Sequence, residues 1–482
     1  MNKTVAENLL SLYKNWAGEE PSSISPLPES ASYRRYFRMK SNNKNAIGAF
    51  NADGKENVAF ISFTKHFLKH NLKVPQLYAE NLENDVYLME DLGDKTLYSF
   101  ITENRNDKQF DNKLLKYYKS TLGELIKFQL KASKDIDYSV CYPRSSFDKQ
   151  SIMWDLNYFK YYFVKLTQTP FDEQRLEDDF NFLTKFLLSA NSDYFIYRDF
   201  QSRNIMIKND KLYFIDYQGG RKGALQYDVA SLLYDAKADL PQKLRNELLE
   251  YYTSLLTNSI KVKKKEFKKY FFVYVLIRIL QSMGTYGFRG IHEKKVHFLK
   301  SIPYAIRNIE YLLQNNLLPQ GLKELKSILD NIINNNSLKN ISEVEIADKL
   351  TVTINSFSYN SGIPADLTGN GGGFVFDCRS LNNPGRLDEF KLLTGKDKPV
   401  IDFLNKENVI KEFLSNVYSI VESAIKNYKE RGFKHLMINF GCTGGQHRSV
   451  YCAENLANLL RKQDDIIVIV NHTELEKTDQ LK

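Results

Sequence analysis

The chain has 482 residues, a formal net charge of +9 and 43% hydrophobic residues. That length exceeds what one hydrophobic core organises, so two or three domains are expected. The excess charge is mild for the size and does not by itself make RNA or another nucleic acid the expected partner. Cys141, Cys378, Cys442 and Cys452 show no C-x2-C spacing for zinc or a disulfide framework, which fits a reducing cytoplasm. MNKTVAENLLSLYKNW is charged and polar where a signal peptide needs an apolar core, and no apolar run approaches the ~18 residues of a membrane span. A cytosolic protein without a membrane partner is expected.

Residues 1–16 read as a short amphipathic helix, and Pro21, Pro26 and Pro28 mark an irregular approach to the first strand pair. ASYRRYFRMK and AIGAFNA are predicted as adjacent strands, ENVAFISFTKHFLKHNL as a helix, and Pro75-Gln76-Leu77-Tyr78 and DVYLMEDLG as two further strands. This sheet with one helix occupies residues 1–93. Over residues 94–329, Tyr, Phe and Leu recur at three- and four-residue spacing in long helices, interrupted by a hairpin. KVKKKEFKK, from Lys261 to Lys269, leads into FFVYVLIRIL and reads as the solvated start of a helix. Residues 330–345 begin with the Asn-rich DNIINNNSLKN and read as a linker. From 346 to 482, TVTINSFSY, GFVFDCRSL, HLMINFG and IIVIVNH are strand-like and alternate with helical stretches at 407–428 and 450–461. The whole predicts an α+β two-lobed arrangement followed by a small α/β domain.

The hairpin carries the chemistry. In YRDFQSRNIMIKNDKLYFID, Asp199, Asn204 and Asp216 stand in the order used by phosphoryl-transfer enzymes of the kinase type. In-line transfer needs an acceptor for the incoming hydroxyl proton, here Asp199, and oxygen ligands for Mg2+, here Asn204 and Asp216. IMIK and KLYFIDY, joined by Asn209-Asp210, would bring these side chains to one cleft. Read as structure alone, Asp199 is a turn former and Asp216 a strand-end cap.

In that reading ATP lies under the first strand pair, where Ser30-Ala31-Ser32 supplies small residues and Arg34 and Arg35 follow. Strand alternation lets only one arginine face the cleft, and Arg35 is the one expected at the nucleotide. Glu56 is a candidate partner for a phosphate-binding lysine, yet AIGAFNA contains none, and Lys44 and Lys55 are only near it. Met89-Glu90-Asp91-Leu92 suits an adenine-contacting hinge, with Glu90 and Leu92 acting through their backbone.

ASYRRYFRM, YLMEDLG, YRDFQSRNIM, FIDYQGG and YDVASLLYD resemble the aminoglycoside phosphotransferase-like kinases, and within them the AmgK-type anomeric kinases of N-acetylmuramate and N-acetylglucosamine. The resemblance covers about residues 20–330. It implies a protein-kinase-like fold, Asp199 as base, Asn204 and Asp216 on magnesium, Asp228 as a structural brace, and an amino-sugar substrate in cell-wall recycling. Tyr197 departs from the His usual before Arg-Asp. An aminoglycoside or choline substrate is the alternative within the same chemistry.

In FGCTGGQHRSVYCAENL a strand passes into a helix through an anion loop: Gly444 and Gly445 let N–H groups turn inward, and His447 and Arg448 add donors and charge. Cys442 through Ser449 also satisfies C-x5-R-S, the phosphate loop of cysteine phosphatases, although Gly441 stands where those enzymes have His. The motifs Phe376 to Pro384, Leu393 to Val400 and Gly441 to Glu454 resemble more strongly the C-terminal domain of the RNase adapter RapZ. That resemblance implies a phosphosugar site for an effector of the glucosamine 6-phosphate kind, built from Asp377, Arg379, Thr443, Gly444, Gly445, His447 and Arg448, with Cys442 not a nucleophile. Gly385 and Thr473 depart from the family's His and Arg. A regulatory nucleotide- and phosphosugar-binding RNA adapter without kinase turnover is the alternative from a different class.

Overall fold

The computed structural model describes residues 3–28, 34–105, 110–293, 295–339, 341, 349–364, 366 and 373–475. The chain divides into two compact units. One comprises Met1–Asn157, Asp172–Gln281 and Asn308–Lys326; the other comprises Tyr158–Phe171, Ser282–Arg307 and Ser327–Lys482.

The first unit opens with α1 (Lys3–Ala17), where Val5, Leu9 and Tyr13 recur at helical spacing and pack on Phe37, Met39, Val86 and Leu88. Those partners belong to strands β1 (Ser23–Pro26), β2 (Arg35–Lys40), β3 (Asn45–Phe50), β4 (Leu77–Asn81) and β5 (Val86–Met89), an antiparallel sheet in the order β1-β2-β3-β5-β4. Strand β1 lies where the sequence reads as irregular; Pro26 is tolerated because it ends an edge strand. Helix α2 (Gly54–Lys69) starts at Asp53, whose carboxylate accepts the N–H groups of Lys55 and Glu56, and it buries Phe60, Phe63 and Phe67.

Further along are α3 (Leu97–Asn104), α4 (Phe110–Ile126), α5 (Lys149–Phe159), α6 (Glu173–Leu188), β6 (Tyr194–Ile196), β7 (Ile205–Lys208), β8 (Lys211–Phe214) and β9 (Arg221–Gly223). They are followed by α7 (Gln226–Leu233), α8 (Gln242–Ser259), α9 (Lys264–Thr285), α10 (Val296–Leu299), α11 (Ile302–Gln314), α12 (Lys323–Ile333) and α13 (Asn336–Lys339). The stretch Lys264–His292 has the length and apolar composition to cross a membrane, and 72% of its apolar window is buried in the protein, as in a core helix. The segment that reads as a linker is helical on both sides of Asn334-Asn335, because Leu329, Ile332 and Leu338 are buried and anchor it.

In the second unit β10 (Leu350–Ser358), β11 (Gly373–Asp377), β12 (His435–Cys442) and β13 (Ile466–His472) form a parallel sheet in the order β11-β12-β10-β13. Parallel pairing requires crossovers. They are supplied by α14 (Lys398–Asn405) and α15 (Asn408–Glu430) between β11 and β12, and by α16 (Arg448–Leu460) between β12 and β13. Val352, Ile354, Ile438 and Phe440 meet Val421, Ala453 and Leu456 in the core. From the adjacent strands β10 and β12 the chain leaves in opposite directions across the sheet. Their carboxyl ends are therefore a switch point, where open α/β sheets bind ligands.

Candidate functional site

Strands β7 and β8 pair from Ile205↔Phe214 to Lys208↔Lys211 and close on Asn209-Asp210, at φ 51° and 56°. Two left-handed residues make the turn that matches strand twist in a two-residue hairpin, and Asn and Asp tolerate that region. Asn204 thus stands just before β7 and Asp216 just past β8. The Asn204 Nδ2 donates to Asp216 Oδ2 at 3.1 Å and to the Asp199 carbonyl at 2.9 Å. With its nitrogen committed, the amide oxygen is the atom suited to face a cation. An amide oxygen beside a carboxylate is the hard donor set that Mg2+ takes, so these residues fit that ion. Asp216 holds φ 70° and accepts from Gln218 at 2.9 Å, an unusual backbone conformation of the kind that collects at functional sites.

Asp199 is positioned from behind. Asp228 on α7 is fully buried, and its two oxygens accept the N–H groups of Tyr197 and Arg198 at 2.7 and 3.0 Å. Burial pushes its carboxyl up to about 7 against the pull of those two N–H groups. Arg198 turns to Asp155, with bonds of 2.9 and 3.1 Å, and to the Tyr227 hydroxyl at 2.6 Å. Arg278 of α9 also bonds that hydroxyl, at 2.9 Å, and brings Nη2 to 4.0 Å from Asp199 Oδ1. The Asp199 side chain keeps 44% of its surface exposed, open to an acceptor. Tyr197, standing in place of the family's His, donates its hydroxyl to the Ile215 carbonyl and so ties the Asp199 segment to the Asp216 segment.

At the nucleotide end, Ser30, Ala31 and Ser32 lie outside the described residues. The arginine that meets Glu56 is Arg34, at 3.2 Å, with its side chain 1% exposed. Arg35, the one expected from the sequence, lies with its guanidinium 5.0 Å from the centroid of the Phe50 ring, its cross-strand partner. Asn51 Nδ2 adds a bond of 2.9 Å to the same Glu56 oxygen. Burial opposes the charge on Arg34, and Tyr87, Tyr36 and Glu56 more than offset it, raising its pKa. Arg34 and Asp216 both act on the phenols of Tyr36 and Tyr87, so the cation and the Asp216 carboxylate share one neighbourhood. Strand β3 contains no lysine, and Arg34 stands just before β2. Glu90 follows β5; its N–H goes to the Gln76 carbonyl at 2.8 Å and its carboxylate to Lys208 at 2.7 Å. Leu92 is buried.

In the second unit the residues expected at the phosphosugar gather at the carboxyl ends of β10, β11 and β12. Asp377 is paired across the sheet with Gly441, and Ser358 with Cys442. Ser358 Oγ donates to the Thr443 carbonyl at 2.5 Å. Gly445 has φ 68°, and a Cβ there would meet the Ser358 nitrogen at 2.8 Å, whereas one on Gly444 meets nothing within 4 Å. His447 caps α16 without a side-chain bond to its first turn; its Nε2 goes to the Phe390 carbonyl at 2.8 Å. Arg448 is 5% exposed, and its Nη1 donates to the carbonyls of Arg379 and Leu381 at 3.1 and 2.9 Å. Its buried Nε has no partner among the described residues. Asp377 and Arg379 pair with each other at 2.7 Å, and the Arg379 guanidinium lies 4.0 Å from the Tyr359 ring centroid. Cys442 Sγ accepts from Gly445 N–H at 3.2 Å and lies 3.2 Å from Ser449 Oγ. A side chain at position 441 would strike Phe357 and Tyr359 at 2.5 and 2.6 Å, so the histidine of a cysteine phosphatase has no room there.

Comparison with known proteins covers both units. Residues 23–259 match the phosphotransferase enzyme family and residues 350–476 match the RapZ C-terminal domain. A nucleotide-binding protein of Fervidobacterium nodosum is 31% identical over 266 residues, which is 52% of this chain and 86% of that protein. One from Thermotoga neapolitana is 37% identical over 128 residues, 27% of this chain and 43% of that one. For the nucleotide-binding protein YvcJ of Bacillus subtilis the figures are 38% over 130 residues, 27% and 42%. The chain thus spans less than half the length of the latter two. Among solved structures, choline kinase LicA from Streptococcus pneumoniae aligns at 14% identity and TM-score 0.41, over 66% of this chain and 98% of that one. The choline kinase of Cryptosporidium parvum aligns at 12% and 0.45, over 66% and 98%. The chain carries a phosphotransferase enzyme family domain at residues 23–259 and a RapZ C-terminal domain at residues 350–476.

Proposed function

We propose that the kinase domain transfers the γ-phosphoryl group of ATP to the anomeric hydroxyl of an amino sugar, N-acetylmuramate or N-acetylglucosamine. This would serve cell-wall recycling in the cytosol, with the RapZ-type domain binding an amino-sugar phosphate that tunes the rate. The observation that carries the reading is the convergence of Asp199, Asn204 and Asp216 produced by the β7–β8 hairpin. The sugar class is supported by the AmgK-type motifs around Arg34, Asp199 and Asp228 and by a second domain whose relatives' motifs imply the same ligand chemistry.

Asp199 accepts the proton of the acceptor hydroxyl as that oxygen forms its bond to the γ-phosphorus, and the bond from phosphorus to the bridging oxygen breaks, releasing ADP. Arg34, oriented by Glu56, holds phosphate oxygens through its planar fork. Mg2+, when held by Asn204 and Asp216, supplies charge neutralisation for the transferred group. Asp228 and Tyr197 keep the base and the metal ligands in register.

The test is ADP release by the full chain with ATP and Mg2+ across N-acetylmuramate, N-acetylglucosamine, glucosamine, choline and an aminoglycoside, with and without glucosamine 6-phosphate. Turnover on the acetylated sugars, lowered about 10²–10⁴-fold in Asp199→Asn, is the expected result. Turnover on choline or the aminoglycoside alone would overturn the sugar assignment, and an unaltered rate in the variant would overturn the base.

A further inference from the structure

Away from the kinase cleft, three side chains with metal-ligating atoms converge within the first unit. His66 and His70 stand four residues apart at the end of α2, so both rings leave the same helix face, with centroids 4.6 Å apart. Asp135 comes from the segment that follows the short helical turn Ala132–Lys134. Its Oδ1 lies 2.8 Å from His70 Nε2 and 3.8 Å from His66 Nε2. One ligand atom from each residue lies within 4.8 Å of the others.

We propose that His66, His70 and Asp135 form a site for a divalent transition metal of the zinc type. With metal–ligand bonds of roughly 2.0–2.1 Å, a tetrahedral site has ligand–ligand edges of about 3.3 Å. Two of the three edges, 2.8 and 3.8 Å, straddle that value, and the third lies within 4.8 Å. The chemistry also fits: two imidazoles and one carboxylate suit zinc. The histidine side chains are 14% and 17% exposed and Asp135 is 49% exposed, which leaves an open side for entry and for a water as fourth ligand. Lys69 reaches the other carboxylate oxygen, Oδ2, at 3.8 Å, and Lys131 Nζ bonds the His70 carbonyl at 3.4 Å. The Ala132 carbonyl, 2.7 Å from His66 Nε2, now holds the ring that the metal would take.

A plain ion pair between His70 and Asp135 needs no second histidine at the same carboxylate oxygen. The site has a structural consequence for α2. Helix α2 carries Glu56 in its first turn and the two histidines near its last, about 15 Å along the axis. A metal tied to Asp135 anchors the far end of the helix that presents Glu56 to Arg34.

The experiment uses the full chain, stripped by chelator, dialysed, and loaded with Zn2+ or Co2+ in the presence of Mg2+. Wild type, Asp135→Asn and His66→Gln are compared by metal content, by the visible spectrum of the cobalt form, and by Tm with and without Zn2+. Wild type is expected to retain one zinc more per chain than either variant, to give the intense absorption of four-coordinate cobalt, and to gain Tm with zinc where the variants do not. Equal metal content and identical cobalt spectra in all three would overturn the proposal. So would a variant Tm loss of the same size with and without zinc, which marks an ion pair only. Asp135 is half exposed and its Asn variant keeps shape and polarity, so that arm stands even where His66→Gln folds poorly.

Discussion

Arg34, just before β2, and Glu56, in the first turn of α2, meet at 3.2 Å in a unit whose strand β3 contains no lysine. An arginine here differs from a lysine in offering a planar fork, so one guanidinium can hold a carboxylate and a phosphate together. Arg34→Gln is expected to lower kcat/KM for ATP by about 10²-fold or more, the usual scale for losing a preorganised charge in a water-poor site. Arg35→Gln, which removes a guanidinium lying on Phe50, is expected to change it by no more than about threefold. Steady-state kinetics at varied ATP distinguishes the two, and equal losses would put both arginines on the nucleotide.

Asn204 orients itself by giving its nitrogen to Asp199 and Asp216. Asn204→Asp keeps an oxygen donor and loses that anchoring, so the Mg2+ concentration giving half-maximal rate is expected to shift, with kcat reduced about tenfold or more. Asp216→Asn removes the ligand charge itself and should lower turnover further. A magnesium titration of ADP release checks the order of the two effects.

Asp228 links stability to pH. Its folded pKa of about 7 exceeds the ~3.9 of an unfolded aspartate, so the folded state binds that proton more tightly. The resulting stabilisation is complete below the unfolded value and is lost as pH rises through about 7. Asp228→Asn lacks it and also leaves one of two buried N–H donors poorly matched, a cost of about 1–3 kcal/mol. Denaturant unfolding of wild type and variant should therefore show a stability difference that shrinks between pH 4.5 and pH 8, and a difference that widens would contradict this account.

The anion loop gives a contrast between adjacent glycines. Gly445→Ala meets the Ser358 nitrogen and forces a left-handed residue to carry a Cβ, so it should destabilise the second unit by about 1–3 kcal/mol. Gly444→Ala adds its methyl where nothing lies within 4 Å. It should leave Tm nearly unchanged and weaken glucosamine 6-phosphate binding by crowding the ligand. Calorimetric titration alongside thermal unfolding separates the two effects.

The β7–β8 hairpin was legible in the sequence because its turn residues, Asn209 and Asp210, are types that accept left-handed geometry between two short strand-like runs. The strands of the second domain were legible because TVTINSFSY and IIVIVNH are rich in β-branched residues and alternate with helical stretches. Arg34 escaped because the pair it forms spans 22 positions in the chain, and strand alternation alone cannot say which of two neighbouring arginines turns inward. Strand β1 escaped because three prolines mask a short edge strand, and α13 because Asn-rich composition hides the single buried Leu338. Arg278 and Asp155 approach the Asp199 segment from distant helices, a relation that only packing reveals.

Arg448 spends a guanidinium nitrogen on the backbone of the Arg379 loop and is almost wholly covered. Its charge is therefore a fixed part of the field at the start of α16, with little side-chain freedom left to lose when an anion arrives. Mobile ions screen such a buried charge far less than they screen exposed lysines. An anion held at this loop should keep most of its affinity as potassium chloride is raised, so the domain would report the level of its ligand rather than the ionic strength around it.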